Sequence, residues 1–177
     1  MLRKDFRSVT LLDVARRAKG FGVEVIGSDP AWPEQAAREI GNRQVKMPEL
    51  LAASDILSLH APLIPETEGL IGESEIAHMR PGVRVVNTSC GRVVSEQALY
   101  GALVSGKVAG YATDVFEKEP PGDSPLLQLP NVIGTPHMGT HTRESLRQMG
   151  DRVPDAVLTV FRGERPAFVV NPQVFER

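Results

Sequence analysis

From residue 11 onward, short aliphatic runs alternate with stretches of helical spacing, and glycines, prolines or capping residues mark most of the junctions. Leu11–Gly22 has helical spacing, with Leu11, Val14, Ala15 and Ala18 on one face. Thr10 with Asp13 supplies a capping pair at its start, and Gly20 or Gly22 a stop at its end. Val23–Asp29 follows as a strand, ended by Pro30. Pro33–Gly41 is a short helix opened by proline and closed by glycine, and "MPELLAAS" adds another helical turn. Asp55–Pro62 reads as a buried strand, Ser74–Met79 as a short helix and Val83–Ser89 as a strand. Ser95–Gly106 is a helix with a capping serine and a glycine stop. Val108–Phe116 and Asn131–His137 are the last strands, with the Pro-rich "EKEPPGDSPLLQLP" between them. A final helix runs from about Thr140 to Arg162. Such alternation makes a mostly parallel sheet covered by helices on both faces. The expected fold class is therefore α/β, doubly wound, with no repeat or linker dividing it.

A chain of 177 residues is long enough for one such domain with a substantial core. Its net charge of −2 gives no basic face, which argues against a nucleic-acid partner. One cysteine excludes an internal disulfide framework and fits a reducing compartment. No apolar run approaches the roughly 20 residues of a membrane span, and the basic N-terminus lacks the apolar core of a secretory signal. The cytoplasm is the expected location.

"GFG" at Gly20–Gly22 invites comparison with a dinucleotide-binding turn. That turn needs a strand, then glycines, then a helix whose N-terminal N–H groups receive the pyrophosphate. Here the order is helix, glycines, strand, so the glycines read as a helix stop and a turn. Asp29 is placed differently. It ends the strand after the first helix, where a dinucleotide fold puts an acid for the adenosine ribose; an Asp-Pro turn is the equal alternative.

The run from Ser54 to Pro121, "SDILSLHAPLIPETEGLIGESEIAHMRPGVRVVNTSCGRVVSEQALYGALVSGKVAGYATDVFEKEPP", closely resembles the cofactor-domain signature of the D-2-hydroxyacid dehydrogenases. "SPLLQLPNVIGTPHMG" and "RGERPAFVVNP" continue the resemblance, which covers about residue 14 to the C-terminus. It implies a Rossmann-like NAD domain at 14–177, an atypical segment at 1–13, and a substrate domain largely absent. It also implies hydride transfer between a small 2-hydroxy or 2-keto acid and NAD, and a homodimer. His137 matches the proton-transferring histidine, and imidazole titrates near neutral pH. Glu119 matches the acid that pairs with it. Asp114 matches the residue beside the nicotinamide carboxamide. His60, Ala61 and Pro62 match the loop that lines the cofactor, and Asp29, Thr88, Ser89 and Gly139 join the cofactor-binding set. His137 and His141 are four apart, but Pro136 and Gly139 make their segment a loop, so no metal site is expected.

Three departures qualify the resemblance. The family places a substrate segment ahead of the cofactor domain, and this sequence has no room for it. Aligned without gaps, the family's three fingerprint glycines fall on Phe6, Ser8 and Leu11, so the first strand and glycine turn are missing or degraded and NAD affinity is expected to be reduced. "FRSVTLL" supplies either a short strand or, as the favoured reading, unrelated sequence. The family reads Asn-Thr-Ala-Arg-Gly where this chain has Asn87–Gly91, "NTSCG", which puts Cys90 at the arginine position. That arginine clamps the substrate carboxylate; a thiol offers one weak donor in place of a planar charged fork. Arg92 lies two residues away and is a poor substitute. Cys90 as a nucleophile is a minor alternative. Pro154 is expected to interrupt the last helix, and Ile64 replaces a usual threonine near the cofactor. The leading reading is thus an impaired NAD-binding domain; the alternatives are a non-catalytic dimerisation or binding module, or a truncated gene product.

Overall fold

Glycine and serine signals set most helix ends in the computed structural model, which describes residues 5–175. The first helix, α1, spans Asp5–Lys19. Nothing in the sequence from Asp5 to Lys19 is glycine or proline, so the helix runs back past Leu11 instead of starting there. Thr10 and Asp13 are therefore interior rather than a capping pair. Phe6, Ser8 and Leu11 lie within α1, so "FRSVTLL" is helical and supplies no strand. Residues 1–4 of the atypical segment lie outside the described range. Leu12 and Ala15 are buried and Leu11 and Ala18 half-buried, whereas Val14 is exposed. The helix stops as expected: the Gly22 N–H donates to the Lys19 carbonyl at 2.9 Å and Gly22 takes φ +75°.

Strand β1 is only Ile26–Gly27, shorter than Val23–Asp29, because only these residues find a ladder partner. That partner is β2, Arg43–Gln44, a polar pair with no apolar signal. Helix α2 (Glu34–Glu39) connects them, and α3 (Met47–Ala53) follows. Strands β3 (Ile56–Leu59), β4 (Val83–Asn87), β5 (Val108–Thr113) and β6 (Val132–Gly134) form a four-stranded sheet in that order, every pair parallel. Helix α4 (Glu73–His78) joins β3 to β4, and α5 (Glu96–Val104) joins β4 to β5. Ser95 caps α5, its hydroxyl accepting from the Ala98 N–H at 3.3 Å. Lys107 Nζ donates to the Ala77 and Met79 carbonyls at the end of α4, at 3.0 and 2.5 Å.

One hydrophobic cluster binds sheet to helices. Leu57, Leu59, Val83, Val85 and Tyr111 from the strands pack with Leu51, Ile76, Leu99 and Leu103 from α3, α4 and α5 and with Met79 just past α4. Burying a side chain of this size contributes about 1.5–3 kcal/mol. Burial alternates along β3 and β4: Ile56, Ser58 and Arg84 are exposed beside buried Leu57, Leu59, Val83 and Val85. The sheet is thus closed by this helical layer on one face, and β3 is half-buried rather than the fully buried strand its apolar content suggests. Alternation is what a sheet with one solvated face produces.

The chain forms two compact units, one up to Pro136 and one from His137 onward. In the second, α6 spans Arg143–Phe161, with the Thr142 hydroxyl accepting from the Ser145 N–H at 3.1 Å. Pro154 lies inside this helix without ending it; it removes one donor, and the carbonyl left over is that of Gly150. Leu146, Met149, Val153, Val157 and Val160 are exposed on α6. Arg152 stacks over the Phe168 ring at 5.0 Å.

Candidate functional site at the carboxyl ends of the strands

In a parallel sheet the loops leaving the carboxyl ends of the strands are where ligands bind. Those loops hold the first unit's candidate residues: Asp29 just past β1, His60–Pro62 past β3, Thr88–Cys90 past β4, and Asp114 and Glu119 past β5.

Asp29 forms the turn its Asp-Pro sequence suggests, Oδ1 accepting from the Ala31 N–H at 2.7 Å. Its carbonyl accepts from Gln44 Nε2 at 3.0 Å. The carboxylate is half-buried, and its Oδ2 meets no hydrogen-bond partner among the described residues, so the turn and ligand roles are compatible. His60 is half-buried, and loss of solvent lowers its pKa below the usual imidazole value. Its Nε2 lies 3.0 Å from Ser58 Oγ. Ala61 and Pro62 are half-buried beside it. The loop is held by Thr67, whose hydroxyl donates to the Pro62 carbonyl and accepts from the Ile64 N–H.

The turn after β4 is organised by Asn87, fully buried and overlooked in the sequence. Its Oδ1 accepts from the Ser89 N–H at 3.0 Å and the Ser89 hydroxyl at 2.8 Å, while its Nδ2 donates to the Cys90 carbonyl at 3.0 Å. Thr88 is left exposed and Ser89 half-buried. The only available signal was an amide ending an aliphatic strand. Cys90 is half-buried and packs against the hydrophobic cluster, so its side chain works as filler here. Arg92 pairs with Glu68 at 3.1 Å on the surface.

The loops after β4 and β5 are locked together. Asp114 donates its N–H to the Asn87 carbonyl at 3.1 Å and accepts the Thr135 hydroxyl at 2.5 Å. Gly91 passes so close to Phe116 that a Cβ there would lie 1.9 Å from the Phe116 carbonyl oxygen. Glu96 and Glu117 each accept the other's backbone N–H, at 2.9 and 2.8 Å. Glu119 is exposed, its Oε1 accepting from the Phe116 N–H at 3.1 Å.

His137 stands three residues past the end of β6 and opens the second unit, as does Gly139 nearby. It takes φ +52° as a non-glycine residue. That region is uncommon for side-chain-bearing residues and concentrates at functional positions, a signal no sequence pattern carried.

Residues 12–139 match the sequence profile of the D-isomer specific 2-hydroxyacid dehydrogenase, NAD binding domain. The chain belongs to this family. A D-3-phosphoglycerate dehydrogenase of Methanocaldococcus jannaschii is 45% identical over 159 residues, 89% of this chain and 30% of that protein. A glyoxylate reductase of Korarchaeum cryptofilum is 43% identical over 162 residues, 91% of this chain and 49% of that one. Among solved structures, a D-lactate dehydrogenase of Treponema pallidum superposes with a TM-score of 0.80 at 39% identity, covering 88% of this chain and 51% of the other. One of Aquifex aeolicus, solved with NAD and lactic acid, gives 0.79 at 34% identity, covering 85% and 50%. The chain thus spans about a third to a half of the length of these relatives. They bear out the α/β, Rossmann-like expectation and the NAD-binding class. Among the described residues no helix is long and apolar enough to cross a membrane.

Proposed function

We propose that this chain is the cofactor half of an NAD-dependent oxidoreductase acting on a small 2-hydroxy or 2-keto acid, with weakened cofactor binding and little turnover of its own. The observation that carries the reading is the gathering of Asp29, His60, Thr88–Cys90 and Asp114 at the carboxyl ends of parallel strands in a chain of this family. NAD, when bound, supplies the hydride acceptor or donor. Asp29, with one carboxylate oxygen uncommitted among the described residues, suits the adenosine ribose hydroxyls and disfavours a 2′-phosphate, which selects NAD over NADP. His60, Ala61 and Pro62 line the cofactor, with Thr88, Ser89 and Gly139 beside it, and Asp114 orients the carboxamide end. His137 takes the proton of the substrate hydroxyl, and Glu119 tunes that histidine on the family's pattern.

Two features weaken the fit. A pyrophosphate needs a glycine turn opening onto a helix N-terminus, and here α1 is continuous through Phe6, Ser8 and Leu11. Cys90 brings no positive charge for a substrate carboxylate. Losing one member of such a charged pair costs about 2–5 kcal/mol. This reading puts the protein in the cytoplasm. The test is NADH oxidation by the purified chain with glyoxylate, hydroxypyruvate or phosphohydroxypyruvate: negligible turnover is expected, and turnover at ordinary enzyme rates refutes the impairment.

The exposed apolar residues of α6 favour a second reading, a dimerisation module acting as a homodimer. Light scattering at micromolar concentration decides it, since a monomer there eliminates this role.

A further inference from the structure

Strand β2 is a polar pair, and its two side chains have different partners. Adjacent residues of a strand point to opposite faces. Arg43 carries its charge to Glu49, at 2.7 Å. Gln44 reaches across to the chain leaving β1: its Nε2 donates to the Asp29 carbonyl at 3.0 Å, two residues beyond its register partner Gly27. β1 ends at Gly27, whose carbonyl takes the Val45 N–H at 2.8 Å, and the Asp29 carbonyl lies past that end. Gln44 thus supplies a donor to a carbonyl that the ladder no longer serves.

The turn that Gln44 holds is the one carrying the Asp29 carboxylate, and other contacts stiffen it. Asp29 Oδ1 accepts from the Ala31 N–H at 2.7 Å. Pro30 keeps Asp29 out of the helical region of backbone space. Trp32, the chain's one tryptophan, lays its ring edge on Gly27, where a Cβ would stand 2.8 Å from Cζ3 and 3.1 Å from Cη2. Of the carboxylate, Oδ2 is left without a hydrogen-bond partner among the described residues. The direction of that oxygen is set by main chain that Gln44 ties to β2.

A carboxylate selects between a ribose 2′-hydroxyl and a 2′-phosphate only while its position is fixed. It accepts from the hydroxyl at hydrogen-bond distance alone, and it repels the phosphate with a strength that falls as the separation grows. A preference for the 2′-phosphate calls for a cation at this place, and the cation of β2 is committed to Glu49. We propose that Gln44 is a positioning residue for cofactor selection, a role that rests on the ribose contact proposed for Asp29. Acting through the Asp29 carbonyl, it holds the carboxylate where NAD is favoured over NADP.

Gln44→Met keeps the side-chain length and removes the donor; Gln44 is solvent-exposed, so the core is untouched. In the ligand-free chain the Ala31 amide should exchange with solvent at least about twofold faster. Amide titrations with NADH and with NADPH should show the ratio of their affinities falling about two- to tenfold, the range that one net hydrogen bond supports. In Asp29→Asn, which has no charge to position, Gln44→Met should leave that ratio unchanged; a general loosening of the site would change it in both backgrounds alike. The role of Gln44 is overturned if Ala31 exchanges as before, if the ratio is kept, or if it falls equally without the Asp29 charge. A parent chain with no NADH-dependent shift at Asp29 overturns the ribose contact itself, and the selection role with it. The ligand-free Ala31 rate tells the two failures apart.

Discussion

Gly91→Ala tests whether the loops after β4 and β5 form one rigid platform. A Cβ at this position would stand 1.9 Å from the Phe116 oxygen, 2.0 Å from its carbonyl carbon and 2.5 Å from the Glu117 nitrogen. Ordinary contact begins near 3.4 Å, so the two backbones must separate by about 1.5 Å. The obstructing atoms are main chain, so no rotamer change relieves the overlap. The same loops are tied by the Glu96–Glu117 exchange and by Asn87 to Asp114, which resist that separation. Overpacking costs about 1–3 kcal/mol, and this backbone clash belongs at the upper end. For a chain of this size each kcal/mol lowers Tm by roughly 2–4 °C, which predicts a fall of about 6–12 °C. Thermal unfolding followed by circular dichroism measures it directly. A Tm within about 1 °C of the parent would refute the rigid-platform reasoning, because it would mean the loops part without cost.

Gly101→Ala is the opposite case: this glycine lies inside α5 with nothing within 4 Å of its would-be Cβ. It should stabilise the chain by about 0.5–1 kcal/mol in urea unfolding. Ser95→Ala removes the cap of α5 and should cost about 1 kcal/mol in the same assay. His60 has its pKa lowered by burial, so the unfolded chain binds the proton more readily. Its contribution to stability is complete above the unfolded value of about 6.5 and is lost as pH falls from there toward the folded pKa. The pH dependence of the urea midpoint should therefore flatten over that window in His60→Gln. In a chimera carrying the substrate half of the glyoxylate reductase relative, Cys90→Arg should raise kcat/KM at least about 30-fold; no gain would mean the cysteine replaced nothing of consequence.

The sequence was most readable where a local device does the work. Ser95 caps α5, Gly22 ends α1 and Pro33 with Gly41 brackets α2, and each acts through its own backbone or side chain. The strands β3 to β6 were legible from their aliphatic runs. What escaped depends on partners distant in sequence. β2 is two polar residues that become a strand only because Ile26 and Gly27 lie beside them. The exposure of Ile56 follows from which face the helical layer covers. Of the site, the family pattern named the side chains, but the burial of Asn87 and the approach of Gly91 to Phe116 needed the fold. Pro154 was misleading because an exposed helix tolerates one lost donor when its other turns remain intact.

The central claim is that the carboxyl-end loops of β1, β3, β4 and β5 receive a nicotinamide dinucleotide weakly. Titrating the isotope-labelled chain with NADH and following its amide resonances tests this directly, because the method registers weak binding as well as strong. The account predicts graded, saturable shifts at Asp29, His60, Thr88–Cys90 and Asp114, with NADPH producing smaller ones. Shifts confined to other surfaces, or none at millimolar NADH, would contradict it.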